Sequence, residues 1–272
     1  MLTGRRRAVA ALSAVALGAN VLVVVVLGGE VLLARRGGEK LPATVAGVDG
    51  VVGTVTPGVE PVQAVWLGDS TAAGVGAGGP EGSVARRVAT AMAGAGGRPV
   101  EVSVFAIAGA QVVDVRDRQL PRLAEDDVTA DIVFISVGAN DTTHLAGTER
   151  FRATYAEVLD RLVAVAAPGG RVVLLGVPAM GTIPRFLEPL RTLAGVRGER
   201  LDDQVAALAA ERGLTYVDIA GETGRAFGES PATTYAADDY HPSDAGYALW
   251  ADAVVAALAE PLPQPQAPAS EG

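Results

Sequence analysis

"LGDSTAAGVG", residues 67–76, follows the apolar run Val62 to Leu67 and turns a strand-like stretch abruptly into Gly, Asp, Ser and more Gly. A strand that stops in small residues suits three different parts: a surface loop, a phosphate cradle, or a turn that lifts a serine clear of the backbone as a nucleophile. The surrounding chain decides among them.

Downstream of this turn, short apolar runs alternate with helical patterns. Val62 to Leu67, Val100 to Ile107, Ile132 to Val137, Val172 to Val177 and Leu214 to Val217 are rich in β-branched residues and bounded by Gly, Pro or Asp, as buried parallel strands are. Between them, Val84, Val88 and Met92, then Phe151, Tyr155, Leu159 and Leu162, then Val205, Leu208 and Ala209 recur at helical spacing. A last helix is expected over Asp244 to Ala259, with Tyr247, Trp250, Val254 and Leu258 on one face and Pro242 and Ser243 as start signals. This alternation predicts an α/β fold, a three-layer α/β/α sandwich on a five-stranded parallel sheet. In such sheets, ligands bind beyond the carboxyl ends of the strands.

Composition narrows the function. The 272-residue chain is 49% apolar, ample for one sizeable core, and its net charge of -9 would repel a phosphate backbone, so no nucleic-acid partner is expected. Cysteine is absent, and two histidines, His144 and His241, offer no recognisable metal-ligand spacing. No metal is expected. Gly74, Gly76 and Gly79 satisfy G-x-G-x-x-G, yet they begin several residues after the strand, and the second strand ends at Ile107-Ala108-Gly109 without the carboxylate a dinucleotide site requires. These glycines are expected to form a mobile rim.

The strand ends carry the chemistry. Gly68-Asp69-Ser70 follows the first strand, Gly109 the second, and Gly138-Ala139-Asn140-Asp141 the third. An asparagine amide at such a position either stabilises a developing oxyanion or caps a helix, and a glycine there lets a backbone N–H approach a ligand or simply ends the strand. Near the C-terminus, "DDYHPSDAGY" puts Asp238 three residues before His241, which is either a base with its orienting carboxylate or a loop capping the last helix. A serine, an N–H at a glycine, an asparagine amide and an Asp-His pair form the complete part list for acyl transfer. His144 reads as a rim or helix residue rather than the base, and Asp239 would be the alternative acid if the loop geometry shifts. Met180, Ile183, Phe186 and Leu187 are possible walls of an acyl pocket or packing residues of a connecting helix.

Outside residues 61–260, the expected domain, lie four other segments. A basic tail, 1–7 with Arg5, Arg6 and Arg7, precedes an uncharged apolar run over 8–29 that is long enough to span a bilayer as a signal-anchor or uncleaved signal. The leading arginines favour an N-terminus in the cytoplasm and a catalytic domain outside it, secreted if the run is cleaved. Residues 30–60 read as a linker, and the Pro-rich 261–272 as a disordered tail.

In the order Gly68-Asp69-Ser70, Gly109, Gly138 to Asp141 and Asp238 to His241, the chain resembles the SGNH, or GDSL-type, hydrolase family over about residues 61–260. The resemblance implies a flavodoxin-like sandwich and a serine esterase or lipase-like acyl hydrolase with no cofactor. By it, Ser70 would attack the ester carbonyl, His241 would serve as base and then acid, and Asp238 would orient His241. The Ser70 amide, the Gly109 amide and the Asn140 side chain would form the oxyanion hole. Substrates would be acyl esters of a small molecule, a lipid or a glycan. Two alternatives remain: an α/β-hydrolase, because Gly68 to Ala72 is one residue from G-x-S-x-G, and a membrane-tethered binding domain without activity.

Overall fold

Parallel pairing of apolar strands builds the centre of the molecule. The computed structural model describes residues 29–30, 39–126 and 128–259. Among these, β1 (Gly50–Val52), β2 (Val62–Gly68), β3 (Val100–Val104), β4 (Ala130–Ser136), β5 (Ala166–Leu175) and β6 (Thr215–Val217) form one sheet in the order β1-β3-β2-β4-β5-β6. The inner strands are apolar without alternation because helices cover both faces of the sheet. From Ala64 to Gly68 every residue of β2 is buried, and the neighbours Trp66 and Phe134 stack with ring centroids 4.3 Å apart.

Two helix groups pack on the sheet. In one, α1 (Val84–Gly96) lies against β3 and against the last helix, α8 (Asp244–Ala259), which also reaches β6. The other holds α2 (112–125), α4 (Thr148–Val165) and α5 (Leu190–Arg212), with α4 touching both of its companions and β5. Shorter helices α3 (Ala139–Thr143), α6 (Ile219–Glu229) and α7 (Pro231–Thr234) join the larger elements. The middle of α2, Val115–Gln119, is a π turn, a widening that recurs at functional sites.

The sheet has six strands rather than five, and it is mixed rather than wholly parallel. The additional strand is β1, which pairs antiparallel with β3 and forms the edge of the sheet. It lies in the stretch read as a linker, and Val48 and Val52 join the hydrophobic core. Three residues that begin at Gly50 and are followed by Gly53, both glycines at positive φ, are too few to show a strand period. β3 also stops at Val104, short of the expected Ile107.

The membrane span expected over 8–29 lies, apart from Gly29, outside the described residues, among which no helix is long and apolar enough to cross a membrane. Glu30, just beyond that run, accepts a hydrogen bond from the Leu190 amide at the start of α5 (3.1 Å).

Without β1, the strand order is 2-1-3-4-5, and the chain leaves β2 first toward β3 on one side and then toward β4 on the other. The crevice at that reversal, beyond the carboxyl ends of β2 and β4, is where such sheets bind ligands. Ser70 stands there. β2 and β4 come so close that a Cβ on Gly68 would lie 1.9 Å from the Ser136 carbonyl oxygen, and Gly68 has φ +134°. Gly68→Ala is therefore expected to cost about 3 kcal/mol or more in urea unfolding. In contrast, Gly94→Ala, on an exposed turn of α1 with nothing within 4 Å of the added methyl, should stabilise by up to about 1 kcal/mol.

Candidate active site

The chain past β2 bends into tight turns: the Ala73, Gly74 and Val75 amides donate to the Asp69, Thr71 and Ser70 carbonyls at 3.1, 3.1 and 2.9 Å. Both backbone groups of Gly68 are held by one buried side chain, Gln119, whose Oε1 accepts from the Gly68 amide (2.8 Å) and whose Nε2 donates to the Gly68 carbonyl (2.7 Å). Gln119 closes the π turn of α2. A widened turn thus carries a polar side chain into the core, where the strand it meets supplies a partner for both its oxygen and its nitrogen.

Opposite the turn sits the loop 235–243, pinched by a bridge between Tyr235 and Pro242 and by the Ala236 amide donating to the His241 carbonyl (2.8 Å). Ser243 Oγ accepts from the Gly246 amide (3.2 Å) and so caps α8. Within this loop His241 Nδ1 lies 2.5 Å from Asp238 Oδ2, and His241 Nε2 lies 3.0 Å from Ser70 Oγ. The other carboxylate oxygen of Asp238 accepts from the Tyr240 and His241 amides at 3.0 and 2.9 Å. Burial pushes Asp238 up, but the bonds from the His241 ring and amide outweigh it and hold the carboxyl below its ordinary range. Asp239 is exposed, at φ +56°, and among the described residues its hydrogen bonds run through its backbone, so its carboxylate takes no part in this line of contacts.

Of the glycines expected to form a mobile rim, Gly74 and Gly76 are closely packed, whereas a Cβ on Gly79 would meet nothing within 4 Å. Gly76 packs so tightly that a Cβ would stand 2.3 Å from the Pro242 carbonyl oxygen and 2.9 Å from His241 Cβ, and the Tyr247 hydroxyl donates to the Val75 carbonyl (2.6 Å). Gly76 forms the shelf on which the histidine loop rests.

Gly109 occupies the third position of a turn closed by the Ala110 amide on the Ile107 carbonyl (3.0 Å), and its φ of +81° is what a type II turn asks of that position. Among the described residues neither the Gly109 nor the Ser70 amide donates to a protein acceptor. Asn140 opens the first turn of α3, and its Nδ2 donates to the Ala110 carbonyl (3.0 Å), which leaves the second amide hydrogen available. Ser70, Gly109, Asn140 and His241 all line one open groove, and His144 lies on its wall with Nδ1 2.8 Å from the Asn140 carbonyl.

A second, apolar cavity also reaches Ser70 and His241, walled by Met180, Ile183, Phe227 and Trp250. Of the four candidate pocket residues, Met180 and Ile183 line this cavity, Phe186 lines the open groove, and Leu187 is exposed and lines neither. Among the described residues no cluster of His, Asp and Glu could hold a metal ion.

Residues 66–249 match the model of the GDSL-like lipase/acylhydrolase family. A GDSL-like esterase of Mycobacterium tuberculosis is 34% identical over 203 residues, which cover 74% of this chain and 63% of that protein. Among solved structures, a lipase from a goat rumen metagenome superposes with a TM-score of 0.58 at 20% identity over 72% of this chain and 97% of its own. An acetylxylan esterase from Geobacillus stearothermophilus gives 0.54 at 19% identity, covering 75% of this chain and 97% of that one. The two structures share the fold.

Two further carboxylates lie under the site. Asp69 accepts from the Thr71 amide (2.9 Å) and hydroxyl (2.8 Å), and Thr71 Oγ1 in turn lies 2.8 Å from Ser136 Oγ. Burial nevertheless raises Asp69 above its ordinary range. Asp141 accepts from the Val112 amide (3.1 Å) at the start of α2, and burial, with Asp69 nearby, pushes it up to about 6. A carboxyl raised by folding adds stability that is full below its unfolded value near 3.8 and is lost as the pH rises through about 6. Asp141→Asn keeps an acceptor for Val112 and cannot ionise. Relative to the parent, the variant should therefore gain about 2–3 kcal/mol in urea-derived stability between pH 4 and pH 7.

Proposed function

The chain belongs to the GDSL-like lipase/acylhydrolase family, and from that premise we propose that it hydrolyses carboxylic esters through a Ser70-His241-Asp238 triad and an acyl-enzyme intermediate. The hydrogen-bonded line from Ser70 Oγ to His241 Nε2 (3.0 Å), and from His241 Nδ1 to Asp238 Oδ2 (2.5 Å), carries this reading. The name of the relative from Mycobacterium tuberculosis supports it, although this chain spans about 63% of the length of that protein.

The geometry supports the following sequence of steps. Ser70 Oγ attacks the ester carbonyl carbon while His241 Nε2 takes the hydroxyl proton, and Asp238 stabilises the imidazolium that forms. Charge that develops on the carbonyl oxygen is met by the Ser70 and Gly109 amides and by the second Nδ2 hydrogen of Asn140. Collapse breaks the carbon to oxygen bond of the alcohol, which leaves with the proton from His241. Water then attacks the acyl carbon as His241 takes its proton, and Ser70 regains its hydrogen as the acid departs. No cofactor enters any step. The acyl group of a small molecule, lipid or glycan ester would be the substrate, with the uncharged run over 8–29 tethering the domain outside the membrane.

Kinetics on a p-nitrophenyl acyl ester check this scheme. Ser70→Ala and His241→Ala should each lower kcat by about 10³-fold or more, with the thermal transition kept. Asn140→Ala should lower kcat about 10²–10³-fold with little change in KM. Undiminished turnover in Ser70→Ala would rule the scheme out.

A further inference from the structure

The open groove holds a cation that the triad does not use. Arg185 lies between β5 and α5, anchored by its own amide, which donates to the Asp239 carbonyl (3.1 Å). Its guanidinium carbon stands 5.7 Å from the centre of the Tyr240 ring, and that ring meets the His241 ring edge-on at 5.0 Å. Arg185 Nε is buried without a hydrogen-bond partner, and among the described residues the side chain makes no hydrogen bond and no ion pair.

The neighbouring arginine is spent differently. Arg197, in the same groove, donates from Nε to the Thr142 carbonyl (2.9 Å) and from a terminal nitrogen to the Ala146 carbonyl, so it fastens the loop after α3. Lys40 adds a third cation to the lining, whereas its carboxylates are Glu39 and Asp238, the latter already committed to His241. In a chain of net charge -9 this groove gathers positive charge next to the nucleophile. A charge so placed draws anions toward the site and raises their local concentration.

Resting on the ester-hydrolase reading, we infer that Arg185 receives an anionic group carried by the alcohol portion of the ester, so that the substrates are acyl esters of acidic alcohols. The side of the site fixes which portion it is. The carbonyl oxygen belongs toward Gly109 and Asn140, and the departing oxygen must lie within reach of His241 Nε2. Tyr240 flanks His241, and Arg185 flanks Tyr240. A carboxylate and a phosphate both match the planar donor fork of a guanidinium, which binds either through two parallel hydrogen bonds.

The test uses the full chain and three acetate esters: that of 4-hydroxybenzoate, that of its neutral methyl ester, and that of 4-hydroxyphenyl phosphate. In Arg185→Gln, the ratio of kcat/KM for an anionic ester to that for the neutral one should fall at least tenfold from the parent ratio, through KM. Arg185→Lys should retain part of the preference. Whichever acid shows the larger fall identifies the anion as carboxylate or phosphate. In the parent protein, added salt should lower kcat/KM for the anionic esters more than for the neutral one, and this readout holds even where Arg185→Gln fails to fold. Ratios within twofold of the parent for both anions, an equal loss on all three esters, or parent rates that salt affects alike would overturn the inference. Those outcomes leave ester hydrolysis standing, whereas a parent protein inert toward all three esters would instead overturn the reading on which the inference rests.

Discussion

The approach of β2 to β4 at the pair Gly68 and Ser136 is the constraint on which the site depends. The Asp69 amide donates to the Ser136 carbonyl (2.9 Å), one residue beyond the last paired position, so the strand continues its ladder until the residue before the serine. With no Cβ to separate the strands, the chain turns away abruptly, and Ser70 emerges at the mouth of the crevice with its hydroxyl facing His241. Gln119 holds both the amide and the carbonyl of Gly68, and Thr71, Asp69 and Ser136 close a buried polar chain beside it. A rigid anchor of this kind matters because a nucleophile misplaced by about 1 Å can lose about 10²-fold in rate.

One short stretch therefore serves two purposes. Its first half presents Ser70, and its second half, through Gly76 and the Val75 carbonyl, sets the height at which the histidine loop and α8 rest. Ser70 and His241 are 171 positions apart, yet their relative placement is determined by packing within a few ångströms of Gly76. The loop supplies its own internal order, since Asp238 gathers the two following amides on one oxygen and the imidazole on the other.

Much of this was legible in the sequence because the relevant signals are local. The unbroken apolar run of β2, the start signals at Pro242 and Ser243 and the three-residue step from Asp238 to His241 each specify a structure over a few residues. What escaped depends on tertiary partners. β1 is an edge strand of three residues whose stability comes from β3, not from any period of its own. Gln119 sits among Arg116, Asp117 and Arg118 and looks like part of a solvated face until the π turn moves it inward. Gly74 and Gly76 suggest flexibility by composition, and only the chain packed against Gly76 reveals that the space is filled. Arg185 stands in a segment whose sequence signal is apolar, and nothing along the chain signals that its guanidinium finds no hydrogen-bond acceptor among the described residues.

Ser70 is proposed as the residue that the imidazole 3.0 Å away makes nucleophilic. Incubating the protein with a fluorophosphonate and locating the adduct by peptide mass spectrometry tests it most directly, because the reagent forms a covalent bond only with an activated hydroxyl. The adduct should appear on the peptide that contains Ser70 and should be lost in His241→Ala. An adduct confined to another residue, or no adduct in protein that retains ester hydrolysis, would contradict it.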